Sequence, residues 1–189
     1  MKNIFTYIPC EVIHLAQGYY FQGLRDYHDW DHIVDLIAKA NRFGIKLTLA
    51  QELAILFHDI VYIPGCQYNE ICSADLLIAC CKDTIRPELL AEACVIIQDT
   101  KDHVPTIRGS AIVSDLDMLV LSDEREFADS HLAIYNEYKH LVPSYDAFIK
   151  HRKIWASDTL RRAEIFYSPQ FKHLNSVAKH NLTQFIKTS

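Results

Sequence analysis

His58 and Asp59 stand side by side inside an otherwise apolar run, ELAILFHDIVYIPG, residues 52–65 of a 189-residue chain. A polar pair in a buried segment costs about 1–3 kcal/mol per unsatisfied group, and far more for a bare charge. Something must face it. His28 and His32, in YHDWDHI, are spaced i,i+4, which sets two imidazoles on one face wherever a helix spans both. Asp115 and Asp117, in SDLDMLVL, are carboxylates in a second apolar run, where a carboxylate neutralises or finds a cation. Together His32, His58, Asp59 and one of Asp115 or Asp117 offer two ring nitrogens and two carboxylate oxygens. That set suits one hard or borderline divalent ion, with coordination left for water. The same groups without an ion would form a buried hydrogen-bond network that specifies the core.

The elements that must position these residues read as helices almost throughout. In DHIVDLIAKANRFG, Ile33, Leu36, Ile37, Ala40 and Phe43 follow a three–four spacing, with Gly44 as the residue after the helix. TLAQELAILFHDIVY opens with Thr48 and Gln51 in a capping-box pattern, and Pro64-Gly65 is expected to end that element. NEICSADLLIACC and PELLAEACVIIQDT read as two further helices, the second with Pro87 in its first turn. SAIVSDLDMLVLS is ambiguous between helix and strand, and its alanine and leucine content tilts it to helix. EREFADSHLAIYNEYKHL, YDAFIKHRKIWASDTLRR (capped by Ser144) and PQFKHLNSVAKHNLTQFIK complete the set. The expected fold is all-α, a bundle of seven to nine helices in one domain over residues 1–189.

Half the residues are hydrophobic and 23% charged, which excludes a disordered chain. A net charge of −5 gives no general case for nucleic acid, though a small anionic substrate needs only local positive charge or a metal. Five scattered glycines remove P-loop and dinucleotide-binding readings, which need closely spaced glycines around phosphate. Six cysteines show no CxxC spacing and behave as reduced thiols in a chain able to build its own core. No window reaches the roughly 20 apolar residues of a membrane span, and the N-terminus lacks a secretory pattern, so a cytoplasmic protein is expected. Of the ten histidines, His14 and His131 lie in mixed surroundings and are expected to be partly buried, whereas His140, His151, His173 and His180 are expected at the surface.

The order His … His-Asp … Asp on helices resembles the HD superfamily of metal-dependent phosphohydrolases, an all-helical family. More narrowly, YHDWDHI, LFHDIVY, NEICSA, TKDH and SDLDMLVL, followed by YNEYKHLV and HRKIWASDTLRRAEIFY, resemble a bacterial group of predicted HD phosphohydrolases over most of the chain. The resemblance implies that His32 is the first ligand, His58 and Asp59 the dyad, and Asp117 the last ligand, with Asp115 the alternative. It implies one divalent ion (Mn, Ni, Fe, Zn, Co or Mg) and a phosphomonoester or phosphodiester substrate, often a nucleotide. His28, Glu70 and His103 match motif positions of that group. Glu70 is expected to orient the water or carry its proton, and His28 to meet the leaving group or phosphate. His103 with Lys101 is expected to face an anionic substrate. The alternative is a non-catalytic helical module that keeps the metal site to recognise a nucleotide or a partner.

Overall fold

The computed structural model describes residues 4–21, 23 and 25–188. Among them the chain forms nine α-helices and two short 3-10 turns, with no strand. The helices are α1 (Cys10–Tyr20), α2 (Trp30–Arg42), α3 (Leu49–Phe57), α4 (Asn69–Cys81), α5 (Pro87–Asp99), α6 (Arg108–Asp117), α7 (Glu124–Tyr138), α8 (Tyr145–Leu160) and α9 (Asn175–Lys187). A 3-10 turn, Met118–Ser122, continues α6 directly, and a second, Lys172–Leu174, leads into α9. No helix is long and apolar enough to cross a membrane.

The architecture is helix packed on helix around α3. From Leu53 to Phe57 every side chain of α3 is fully buried. A helix apolar on all sides belongs at the centre of a core. Helix α5 packs on both α3 and α4, α2 and α6 flank α3, and α8 pairs with α9. The turn Met118–Ser122 joins the two groups by resting against α7 and α9.

Local chemistry sets the helix ends near the site. Asp29 caps α2 by accepting the His32 amide at 3.1 Å, and Gly44, just past its end, takes φ +66°. That left-handed geometry is one glycine adopts without a Cβ penalty. Thr48 and Gln51 form the complete capping box on α3. Ser144 accepts the Ala147 amide to start α8.

Four features differ from the sequence reading. Helix α3 stops at Phe57, ahead of Pro64-Gly65, so His58 and Asp59 fall in the turn that leaves it. Helix α2 begins at Trp30, which leaves His28 in the preceding loop and removes the one-face argument for the His28–His32 pair. Helix α1 was not anticipated: its buried stripe, Ile13, Ala16 and Tyr20, is short. His14, expected to be partly buried, is exposed, whereas His131 is buried as expected.

Candidate metal centre

His58 and Asp59 leave the C-terminal end of α3, His32 lies in the first turn of α2, and Asp117 is the last residue of α6. The three helices bring these side chains together. Nε2 of His32 is 3.3 Å from Nε2 of His58 and 3.9 Å from Oδ2 of Asp59. Nε2 of His58 is 2.9 Å from Oδ2 of Asp59. Donor atoms held about 2.1 Å from one ion lie within about 4.3 Å of each other, so these three separations fit a common ion. Asp117 lies beside this group, with Oδ1 3.1 Å from His32 Nε2 and Oδ2 3.8 Å from His58 Nε2.

A ligating imidazole needs a free lone pair, and its other nitrogen decides which one that is. Nδ1 of His58 lies 3.0 Å from the Ile55 carbonyl, an acceptor only, so it carries the proton. Nε2 of a neutral His58 therefore presents a lone pair to His32 and Asp59. The surrounding charges favour a second proton at Nε2, one that a bound ion would displace. Burial opposes a proton on His58, but the Asp59 carboxylate outweighs it and raises the pKa to about 9. Burial likewise opposes ionisation of Asp59 and Asp117, yet the imidazoles of His58 and His28 around Asp59, and those of His103 and His32 bonded to Asp117, hold both carboxyls well below their usual range. The cluster attracts positive charge, and a divalent ion can supply that charge in place of the ring protons. The donor types, separations and tautomer fit a divalent ion.

Of the two aspartates, Asp117 faces the histidines. Asp115 points the other way, and its carboxylate accepts the amides of Tyr167 and Ser168 at 2.8 and 2.7 Å. It ties the segment before α9 to α6 and faces no histidine. His103 sits beside the cluster, its Nε2 3.0 Å from Oδ2 of Asp117, and holds φ +51°, an uncommon geometry for a residue with a Cβ. Lys101, expected to face an anion, is exposed and donates to the Gln67 carbonyl at 2.7 Å.

His58, Asp59 and Asp117 line a cavity of about 560 Å³. His28, Glu70 and His103 line it as well, together with Ile134, Tyr138, Phe148, Arg152 and Trp155 of α7 and α8. Glu70, in the first turn of α4, has one carboxylate oxygen buried with no hydrogen-bond partner. His32 opens instead to an adjoining cavity of about 400 Å³ that shares Asp117.

Two residues that the sequence reading overlooked hold His28 and the dyad in place. Glu137, buried on α7, accepts the amides of Asp26, Tyr27 and His28 on Oε1 at 3.0, 2.8 and 2.9 Å. Its Oε2 accepts the His28 ring nitrogen Nδ1 at 2.7 Å. The His28 ring also stacks on Tyr62 at 4.1 Å. Burial works against the charged form of His28, but Asp59 and Glu137 outweigh it and raise its pKa above the ordinary value. The spacing Phe127, Ser130, Ile134, Glu137 puts this carboxylate in the buried stripe of α7, a signal present in the sequence. Arg25 donates to the carbonyls of His28, Asp59 and Ile60 at 3.1, 2.6 and 2.9 Å, which clamps the loop before α2 to the dyad. No family model, curated protein or solved structure matches the chain.

Proposed function

We propose that the protein is a metal-dependent phosphohydrolase of the HD type, acting on a small phosphate ester such as a nucleotide. The observation that carries this reading is the convergence of His32, His58, Asp59 and Asp117, of which the last three line a cavity of about 560 Å³, with Nε2 of His58 directed into the cluster. Their order along an all-helical chain agrees with the HD resemblance. A divalent ion held there supplies Lewis acidity, which lowers the pKa of water and offsets phosphoryl charge.

The chain's own groups account for the protons. Glu70 has an unsatisfied carboxylate oxygen on the cavity wall and accepts a proton from the attacking water. The water oxygen forms the new bond to phosphorus while the ester P–O bond breaks. His28, kept protonated more readily by Glu137 and Asp59, donates its proton to the departing oxygen. Protons and electron pairs balance: one phosphate ester and one water give phosphate and an alcohol.

The test is elemental analysis of the full chain expressed without added metal, beside His58→Ala and Asp117→Ala, followed by hydrolysis assays on phosphate esters and nucleotides. About one transition metal per chain, lost in both variants, together with turnover that needs Glu70, supports the proposal. A chain that takes up no manganese, nickel or magnesium and hydrolyses nothing would overturn it. Metal without turnover would favour the non-catalytic module.

A further inference from the structure

Arg152 of α8 lines the 560 Å³ cavity with its guanidinium 4.1 Å from the centre of the Trp155 ring. Its Nε is buried and has no hydrogen-bond partner, and no carboxylate pairs with it among the described residues. An arginine stays protonated in a protein and is rarely buried without an anion. Several other basic side chains nearby have partners. Lys101 donates to Gln67, His28 to Glu137, and Arg25 to three carbonyls, while His58 and His103 meet Asp59 and Asp117. Arg152 instead faces Tyr27 and Tyr62, phenols that burial pushes above their ordinary pKa and so keeps neutral.

Resting on the phosphohydrolase reading, we propose that Arg152 is the phosphate anchor of the cavity and that the substrate is a phosphomonoester whose alcohol carries a planar apolar group. The planar guanidinium offers two parallel N–H donors that match two phosphoryl oxygens. Stacking on Trp155 fixes the plane of that fork before the substrate arrives, which reduces the ordering cost of binding. Beside it, Tyr138, Phe148 and Ile134 form an aromatic and aliphatic wall suited to a flat ring. A volume of about 560 Å³ accommodates a molecule of nucleoside monophosphate size.

The experiment measures binding of phenyl phosphate and of inorganic phosphate by calorimetry, with the full chain either in EDTA or loaded with manganese. Wild type is compared with Arg152→Lys and Arg152→Met. Loss of a charge-assisted bidentate contact corresponds to roughly a tenfold or greater weakening. Arg152→Met is expected to lose at least that much affinity for phenyl phosphate, and Arg152→Lys to keep an intermediate value. Metal content should match wild type in both. Wild-type affinity in Arg152→Met would overturn the anchor, as would no phenyl phosphate binding to wild type in either state. Equal affinities of wild type for phenyl phosphate and inorganic phosphate would overturn the planar group. If Arg152→Met does not fold, the wild-type Nε–H resonance of Arg152, assigned with Arg152→Lys, decides the question. It must move as phenyl phosphate saturates the protein, and a stationary resonance refutes the contact. A chain that takes up no manganese, nickel or magnesium and hydrolyses nothing, but in which that resonance still moves, would sink the phosphohydrolase reading while leaving the anchor standing.

Discussion

Replacing Glu137 by glutamine tests the support of the site through a single charge. The carboxylate takes three loop amides on Oε1 and the His28 ring on Oε2. Glutamine keeps an acceptor for the amides but turns an NH₂ toward the ring N–H of His28, so the charge-assisted contact becomes donor against donor. A hydrogen bond to a charged group contributes about 1.5–3 kcal/mol, and Glu137→Gln should lose about 2–3 kcal/mol. Glu137→Ala leaves four donors unsatisfied and should lose about 3–5 kcal/mol, as when one partner of a buried pair is removed. Urea unfolding followed by circular dichroism measures this as a shifted midpoint at unchanged slope. The pH dependence gives a second reading. Burial opposes ionisation of Glu137, but its bonds to His28 and the loop amides outweigh that and lower its pKa from 4.5. A depressed carboxylate pKa contributes stability that is complete above the unfolded value and is lost as pH falls through the folded one. The gap between wild type and Glu137→Gln should therefore hold steady above about pH 5 and close below about pH 4.5. A loss under about 1 kcal/mol, or a gap that persists to pH 3, would refute the assignment of Glu137 as the charged brace of His28.

The two aspartates of α6 should separate cleanly. Asp115→Asn is expected to cost about 2 kcal/mol by weakening two buried charge-assisted bonds while metal content stays at the wild-type level; Asp117→Asn should lose metal. Calorimetric melting paired with elemental analysis reads both, and the reverse pattern would exchange their roles. Asp59→Ala is expected to abolish turnover and metal uptake while far-ultraviolet circular dichroism stays that of a helical protein, since Asp59 lies just outside α3 and makes its contacts within the cluster. His131 is buried between Phe127 and Phe185, and burial together with Arg152 lowers its pKa to about 4. The unfolded chain takes up that proton first, so stability should fall as pH drops from about 6.5 to about 4, by up to roughly 3 kcal/mol. His131→Leu should flatten that limb in urea titrations; an unchanged limb would assign the loss to other groups.

What the sequence made legible was whatever repeats locally. The three–four spacing of α2, the Thr48–Gln51 box and Pro87 at the start of α5 each act within one or two turns, and the structure bears them out. The His58–Asp59 pair was conspicuous because its neighbours in sequence are apolar. Asp115 and Asp117 were harder to separate. Residues two apart on a helix point about 200° away from each other, so only one can face the histidines. Which one does so depends on the amides of Tyr167 and Ser168, which lie 52 and 53 residues away from Asp115. Glu137 escaped notice for the same reason. Its partners are 109 to 111 residues earlier, and α7 alone gives no sign of a loop that needs an acceptor. The early end of α3 follows from the turn at Phe57–Ile60, whose carbonyls at Asp59 and Ile60 are taken by Arg25, again a long-range contact.

The division of the site along the chain has a consequence for biosynthesis. His32, His58, Asp59 and Asp117 all belong to the stretch from α2 to α6, whereas Ser130, Ile134, Tyr138, Phe148, Arg152 and Trp155, which also line the cavity, come from α7 and α8. Translation releases the N-terminal part first. A nascent chain that has not reached Glu124 already carries all four ligands, but neither Glu137 nor Arg152. The Glu137–His28 bond must then close a loop of 109 residues, and the entropic cost of closure rises with loop length. On the proposed reading, the four candidate ligands are thus made before the cavity is complete, and the residues proposed to recognise the substrate are the last to emerge.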